Sequence, residues 1–240
     1  MSHSHSPYTL SALALALTLT MTLTSGALLA QDKDEKTMRS ATAGGVFKTN
    51  TIRFEVNETD QDGEVVINFK AFEGLNHLIV QDPDRNTVVN LKSKDEGNIG
   101  LQQGKVETAE PSVQTLLAAY PEGRYTFFGR TVSGQRIYGA AMLTHTVLAA
   151  PGFVPRDDQM VDPNNTLVQW APVSGAANYI IEIKQDDLGF ELTATVTSDV
   201  LTLAVPPGVL TAGLRYEIAV ATVTAEGNVS VAESTFITMQ

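Results

Sequence analysis

The sequence predicts an all-β protein, two consecutive β-sandwich domains with one short helix in the first. Three observations predict it. Runs of alternating apolar and polar residues recur from Ile52 to Met239, which is the period of half-buried strands. Clusters of Gly, Pro, Asn and Asp separate these runs, as turns between short strands require. The chain also has no cysteine. Without disulfides or thiolate-bound metal, each core must hold by apolar burial and β pairing.

Residues 1–30 have the layout of a secretory signal peptide. Leu10 to Leu23 is an uncharged run rich in Leu, Ala and Thr, followed by Ser25-Gly26-Ala27 and Ala30. The run is shorter than the ~20 residues a spanning helix needs. Cleavage after Ala27 places Ser25 and Ala27 at the two small-residue positions, whereas cleavage after Ala30 puts Leu28 at the first. The first ten residues depart from the pattern, since they carry His3 and His5 but no Lys or Arg. The expected location is therefore periplasmic or extracellular. Residues 31–49 read as a flexible polar linker with a break at Ala43-Gly44-Gly45.

Residues 50–148 read as the first sandwich. Ile52, Phe54 and Val56 alternate with Arg53 and Glu55, and Val65, Ile67 and Phe69 alternate with Asn68 and Lys70. Leu75–Val80 and Thr87–Leu91 flank the turn Asp82-Pro83-Asp84-Arg85-Asn86. Residues 93–110 are polar, with one irregular strand expected near Ile99 and Leu101. Pro111-Ser112 opens a helix on which Val113, Leu116, Leu117 and Tyr120 fall at helical spacing, and Pro121 stops it. Arg124–Thr131 and Gln135–His145 are strands joined by the hairpin turn Val132-Ser133-Gly134. Ala149-Ala150-Pro151-Gly152 interrupts the pattern and marks the boundary.

Residues 152–240 read as the second sandwich. Thr166–Ala171, Asn178–Gln185, Phe190–Val196, Val200–Val205, Leu214–Val223 and Asn228–Met239 are strand runs. Trp170 lies in Val168-Gln169-Trp170-Ala171-Pro172, and Tyr179 opens Tyr179-Ile180-Ile181-Glu182-Ile183. Leu210-Thr211-Ala212-Gly213-Leu214-Arg215-Tyr216 leads to Ile218 and Val220, and Ala225-Glu226-Gly227-Asn228 precedes Ser230. On these residues the last ninety positions resemble a fibronectin type III domain, an immunoglobulin-like fold. The resemblance implies that Trp170 fills the core and that Tyr216 forms a tyrosine corner, its hydroxyl bonded to nearby backbone. Pro121-Glu122-Gly123-Arg124-Tyr125 looks like a similar corner in the first domain. Truncating a core aromatic such as Trp170 costs ~3–5 kcal/mol.

Charge excludes some partners. The chain is net −11, and residues 151–240 carry 3 Lys and Arg against 11 Asp and Glu. A surface this acidic disfavours nucleic acid and anionic membranes. It favours solubility.

Chemistry finds little footing. No Gly-x-Ser-x-Gly elbow and no phosphate-cradling glycine loop is present,. Beyond the leader only His77 and His145 remain, too few for a zinc site. Asp157-Asp158 and Asp186-Asp187 read as solvated loop charges. Glu58-Thr59-Asp60-Gln61-Asp62-Gly63 begins like an EF-hand loop, but its twelfth position is Phe69 where a bidentate Glu is required. A plain hairpin turn is the expectation. Asn-x-Ser/Thr triplets begin at Asn57, Asn164 and Asn228.

No catalytic, cofactor-binding or metal-binding residue is assigned, and no cofactor. The expected function is that of a secreted, non-enzymatic interaction or adaptor protein. A protein or an extracellular polysaccharide is the expected partner, bound on end loops or between the domains. Two alternatives stand beside it: a spacer without a ligand, and an extracellular hydrolase using carboxylates such as Glu107 or Glu110.

Overall fold

Hairpins organise the first half. The computed structural model describes residues 44–93 and 99–240. The leader, the cleavage positions and residues 31–43 of the linker lie outside the described residues. Strands β1 (Gly45–Val46), β2 (Thr49–Asn57), β3 (Asp62–Gln81), β4 (Thr87–Lys92) and β5 (Leu101–Glu107) come first. Helix α1 (Val113–Ala119) and strands β6 (Gly123–Thr131) and β7 (Arg136–Leu143) follow.

β3 joins two layers. Its first half pairs with β2 on one side and β5 on the other. Its second half pairs with β4 and β6. Register shifts between Lys70 and Leu75 mark the bend, where one continuous strand of a single sheet changes partners and passes from one layer to the other,. The sequence pattern had split this strand into two runs. The layers enclose Phe54, Ile67, Leu78, Tyr125 and Phe127, and Leu116 of α1 packs into the same cluster. The helix stops as its residues dictate, with the Tyr120 N–H on the Leu116 carbonyl at 2.8 Å and Pro121 next.

Three features differ from the sequence expectations. Gly45–Val46, counted with the linker, pairs in parallel with β7, and Phe47 is buried in the core. Residues 101–107 form a full strand rather than an irregular one, because β3 offers a complete ladder from Val66 to Lys70. Arg53 and Glu55, expected to face water, are buried.

The second half contains β8 (Phe153–Val154), β9 (Gln159–Val161), β10 (Leu167–Trp170), β11 (Asn178–Gln185) and β12 (Phe190–Thr197). It ends with β13 (Thr202–Ala204), β14 (Arg215–Val223) and β15 (Val229–Thr238). A three-stranded sheet, β13-β10-β8, faces the four strands β15-β14-β11-β12. Trp170 fills the space between them, edge-on to Tyr179 at 5.7 Å. Tyr216 stacks on Phe236 at 5.4 Å. The Tyr216 hydroxyl accepts the Thr211 N–H at 2.7 Å, the corner that the resemblance implied. The Tyr125 hydroxyl donates to the Pro121 carbonyl at 3.0 Å, a second corner.

The two halves share a sheet. β15 pairs in parallel with β2, Val229 opposite Glu55 and Val231 opposite Asn57. The ladder then runs without a break from β1 to β12. At this seam the buried side chain of Asn228 accepts the Phe54 N–H and donates to the carbonyls of Thr144 and Thr146. Asn228 opens one of the three Asn-x-Ser/Thr triplets, and its amide nitrogen is spent inside the protein.

Candidate functional site: a cationic and aromatic sheet face

Strand alternation sends every second residue of β4, β3, β6 and β7 away from the core. The pairing registers then place those residues in rows across the sheet. Lys92 is opposite His77, His77 opposite Arg130, and Arg130 opposite Arg136. Two residues along each strand, Asn90, Ile79, Phe128 and Tyr138 form the next row, and Val46 of β1 pairs beside Tyr138. One row carries three cations and a histidine, and its neighbour, Asn90 apart, is apolar and aromatic. Arg124 lies further along β6 on the same face.

A cleft of about 410 Å³ lies over this face, lined by both rows. Phe128 and Tyr138 meet edge to face, 5.7 Å between centroids at 83°. Tyr138 is 41% exposed. The His77 ring Nε2 is 2.8 Å from Asn90 Oδ1, which fixes the ring beside the arginines.

The electrostatics of the face are one-sided. Lys92, Arg124, Arg130 and Arg136 are exposed, and none of them joins an ion pair among the described residues. Like charges directly opposite one another across strands are destabilising. Placing Arg130 against Arg136 therefore costs stability, and an anion between them would relieve it.

The opposite character marks the sheet around the seam. Glu64 of β3 pairs with Glu55 of β2, on the side of the sheet that also carries Arg53. The Arg53 guanidinium holds the Glu55 carboxylate at 3.0 Å. Burial, with Glu55 and Glu107 beside it, pushes the Glu64 carboxyl up to about 7. Glu182 of β11 is fully buried, 2.5 Å from Lys184 Nζ. Burial raises its carboxyl, Lys184 draws it part of the way back, and Glu191 and then Glu55 add to the rise. Glu233 is pushed to about 7, again by burial first.

The sequence-derived candidates scatter. Glu58 accepts the Ala150 N–H at 2.8 Å, and the Asn57 side chain accepts the N–H groups of Thr59 and Asp60, so the turn is tied to the protein. Glu107 pairs with Lys105, and neither it nor Glu110 lines the cleft. His145 Nε2 sits 2.7 Å from the Tyr120 carbonyl, and its ring lies 5.5 Å from Phe54. Asp157 and Asp158 pair with Arg156 and Arg215. Asp186–Leu188 form one 3-10 turn capped by Gly189. Of the residues singled out by sequence, the site holds only His77. The rest of the face went unrecognised, although the hairpin turn at Val132-Ser133-Gly134 was enough to set Arg130 against Arg136.

The chain matches no protein-family model and no curated protein. Among solved structures it is similar to the FN1-FN3 domains of chicken CNTN1, with 11% identity and a TM-score of 0.32 over 82% of this chain and 66% of that one. It is also similar to a two-domain fibronectin type III segment of chicken tenascin. There the identity is 12% and the TM-score 0.32, over 78% of this chain and 98% of that one. No helix among the described residues is long and apolar enough to cross a membrane.

Proposed function

We propose that this chain is an exported, non-enzymatic binding protein that takes its ligand on the open face of β4, β3, β6 and β7. The observation that carries the reading is the row Lys92, His77, Arg130 and Arg136 lying beside Ile79, Phe128 and Tyr138. Such a face offers charge and flat apolar surface together, and nothing in the described residues neutralises it. The signal-like leader of residues 1–30 supports export. Two domains, residues 50–148 and 152–240, divide the work: the first carries the face and the second holds it out. The parallel pairing of β15 with β2 supports a rigid joint between them.

The test uses residues 31–240 against surface material of the host cell. The expected result is retention that the triple variant Arg130→Ala, Arg136→Ala, Tyr138→Ala abolishes while its unfolding midpoint stays near wild type. Retention indifferent to the triple change would sink the reading.

A further inference from the structure

We infer that the ligand of this face is an acidic polysaccharide, a chain of sugar rings bearing carboxylates. The inference rests on the binding face proposed above and names the chemistry that fits it. The two rows run perpendicular to the strands, so an elongated ligand lying along them crosses β4, β3, β6 and β7 in turn. Neighbouring strands are roughly 4.8 Å apart. Three cations and a histidine therefore recur at that interval, from Lys92 to Arg136. The aromatic row lies two residues along the strands, roughly 6.8 Å away.

A ligand matching both rows needs an anion and a flat apolar surface on each repeating unit. A uronic sugar has both on one ring, a carboxylate at one edge and a face of C–H groups. An acidic peptide supplies carboxylates but no flat surface beside each one. The shape of the site agrees. The cleft is shallow and open on a sheet face, with Tyr138 exposed, as a chain passing across it requires. Selectivity follows from the rest of the surface. The whole protein is net −11, so its net charge repels a polyanion while the unpaired cations of this face attract it locally.

The measurement is affinity electrophoresis and calorimetric titration of residues 31–240 with four polymers: polygalacturonate, alginate, neutral dextran and poly-L-glutamate. The expected result is binding to polygalacturonate or alginate, none to dextran and markedly weaker binding to poly-L-glutamate. The pair Arg130→Ala, Arg136→Ala weakens uronate binding about tenfold, the scale of two exposed charge contacts. Tyr138→Ala also weakens it, whereas the distant Arg156→Ala does not. Equal binding of poly-L-glutamate, insensitive to Tyr138→Ala, overturns the inference in favour of an acidic protein partner. Self-association lost with the arginine pair, without uronate binding, overturns it in favour of a second copy of this chain. If host surface material is retained through the face but no uronate binds, the ligand class fails and the binding reading stands. If neither is retained, both fail.

Discussion

The side-chain oxygen of Asn228 accepts the backbone N–H of Phe54 at 2.9 Å, although the two residues lie 174 positions apart. The same side chain donates to the carbonyls of Thr144 and Thr146, each at 2.9 Å. One amide thus closes the corner where β2, the segment after β7 and the turn before β15 converge. Asn228→Ala strands a buried N–H and two carbonyls. The expected cost is about 2–4 kcal/mol in denaturant unfolding. Asn228→Asp should cost at least as much, because its second oxygen faces acceptors. A wild-type midpoint in either variant would show that the seam is held elsewhere. When the chain is exported from a glycosylating host, Asn228 should carry no glycan, because its amide nitrogen is occupied. Mass spectrometry of its peptide checks this.

Three tyrosine hydroxyls hold backbone a few residues upstream, and they do so in opposite senses. Tyr216 accepts the Thr211 N–H and Tyr179 accepts the Val173 N–H, each at 2.7 Å. Tyr125 donates to the Pro121 carbonyl. A phenylalanine orphans a donor in the first two cases and only one lone pair of an acceptor in the third. Orphaned N–H groups are the less tolerated. Tyr216→Phe and Tyr179→Phe should each cost about 1–3 kcal/mol, and Tyr125→Phe about 0.5–1.5. Unfolding curves that reverse this order would refute the assignment of donors.

What could be read from the sequence was what local pattern controls. Trp170, Tyr179 and Tyr216 sit at strand positions whose neighbours declare an inward face, and the 3.6 period of Val113, Leu116, Leu117 and Tyr120 could form only a helix. The buried pair Arg53 and Glu55 was not legible. Alternation assigns them outward, and their burial depends on long-range neighbours, Glu64 across the β2–β3 ladder and β15 beside Glu55, that local pattern does not announce. The β3 bend was hidden for a similar reason: two apolar runs separated by Gly74 read as two strands until both partners are known. The cationic row depends on register across four strands. Lys92, His77, Arg130 and Arg136 are unremarkable one by one in the chain, and only the β6–β7 half of the row is fixed by a local turn.

The bend in β3 separates crowding from backbone strain. A Cβ on Gly74 would lie 1.8 Å from the Ile99 carbonyl oxygen, so Gly74→Ala must displace backbone. Gly134 has φ +86 and open space around it, so Gly134→Ala meets strain alone. The left-handed penalty is roughly 1–2 kcal/mol. The crowded site should exceed it, at about 3 kcal/mol, because a packed interior resists added volume. Parallel urea titrations check this, and equal losses would mean that the β3–Ile99 contact yields easily.

The buried carboxylates make stability depend on pH in the direction opposite to ordinary surface acids. Glu64 is 7% exposed, and its carboxyl is raised from 4.5 to about 7. Glu233 rises to about 7 as well. Between the two values the folded protein binds more protons than the unfolded chain, so stability falls as pH climbs through this window. Glu182, Glu110 and Glu217 shift the same way. Glu73 and Asp199 are lowered, and their contribution is lost only as pH falls below the usual carboxylate range of about 4. The urea midpoint should therefore decline from pH 5 to pH 8. Glu64→Gln mimics the protonated acid permanently. It should raise the midpoint at pH 8, leave it nearly unchanged at pH 4, and flatten the decline, with Glu233→Gln flattening it further. A midpoint that rises towards pH 8 in the wild type would mean that Arg53 and Lys105 outweigh burial at Glu64.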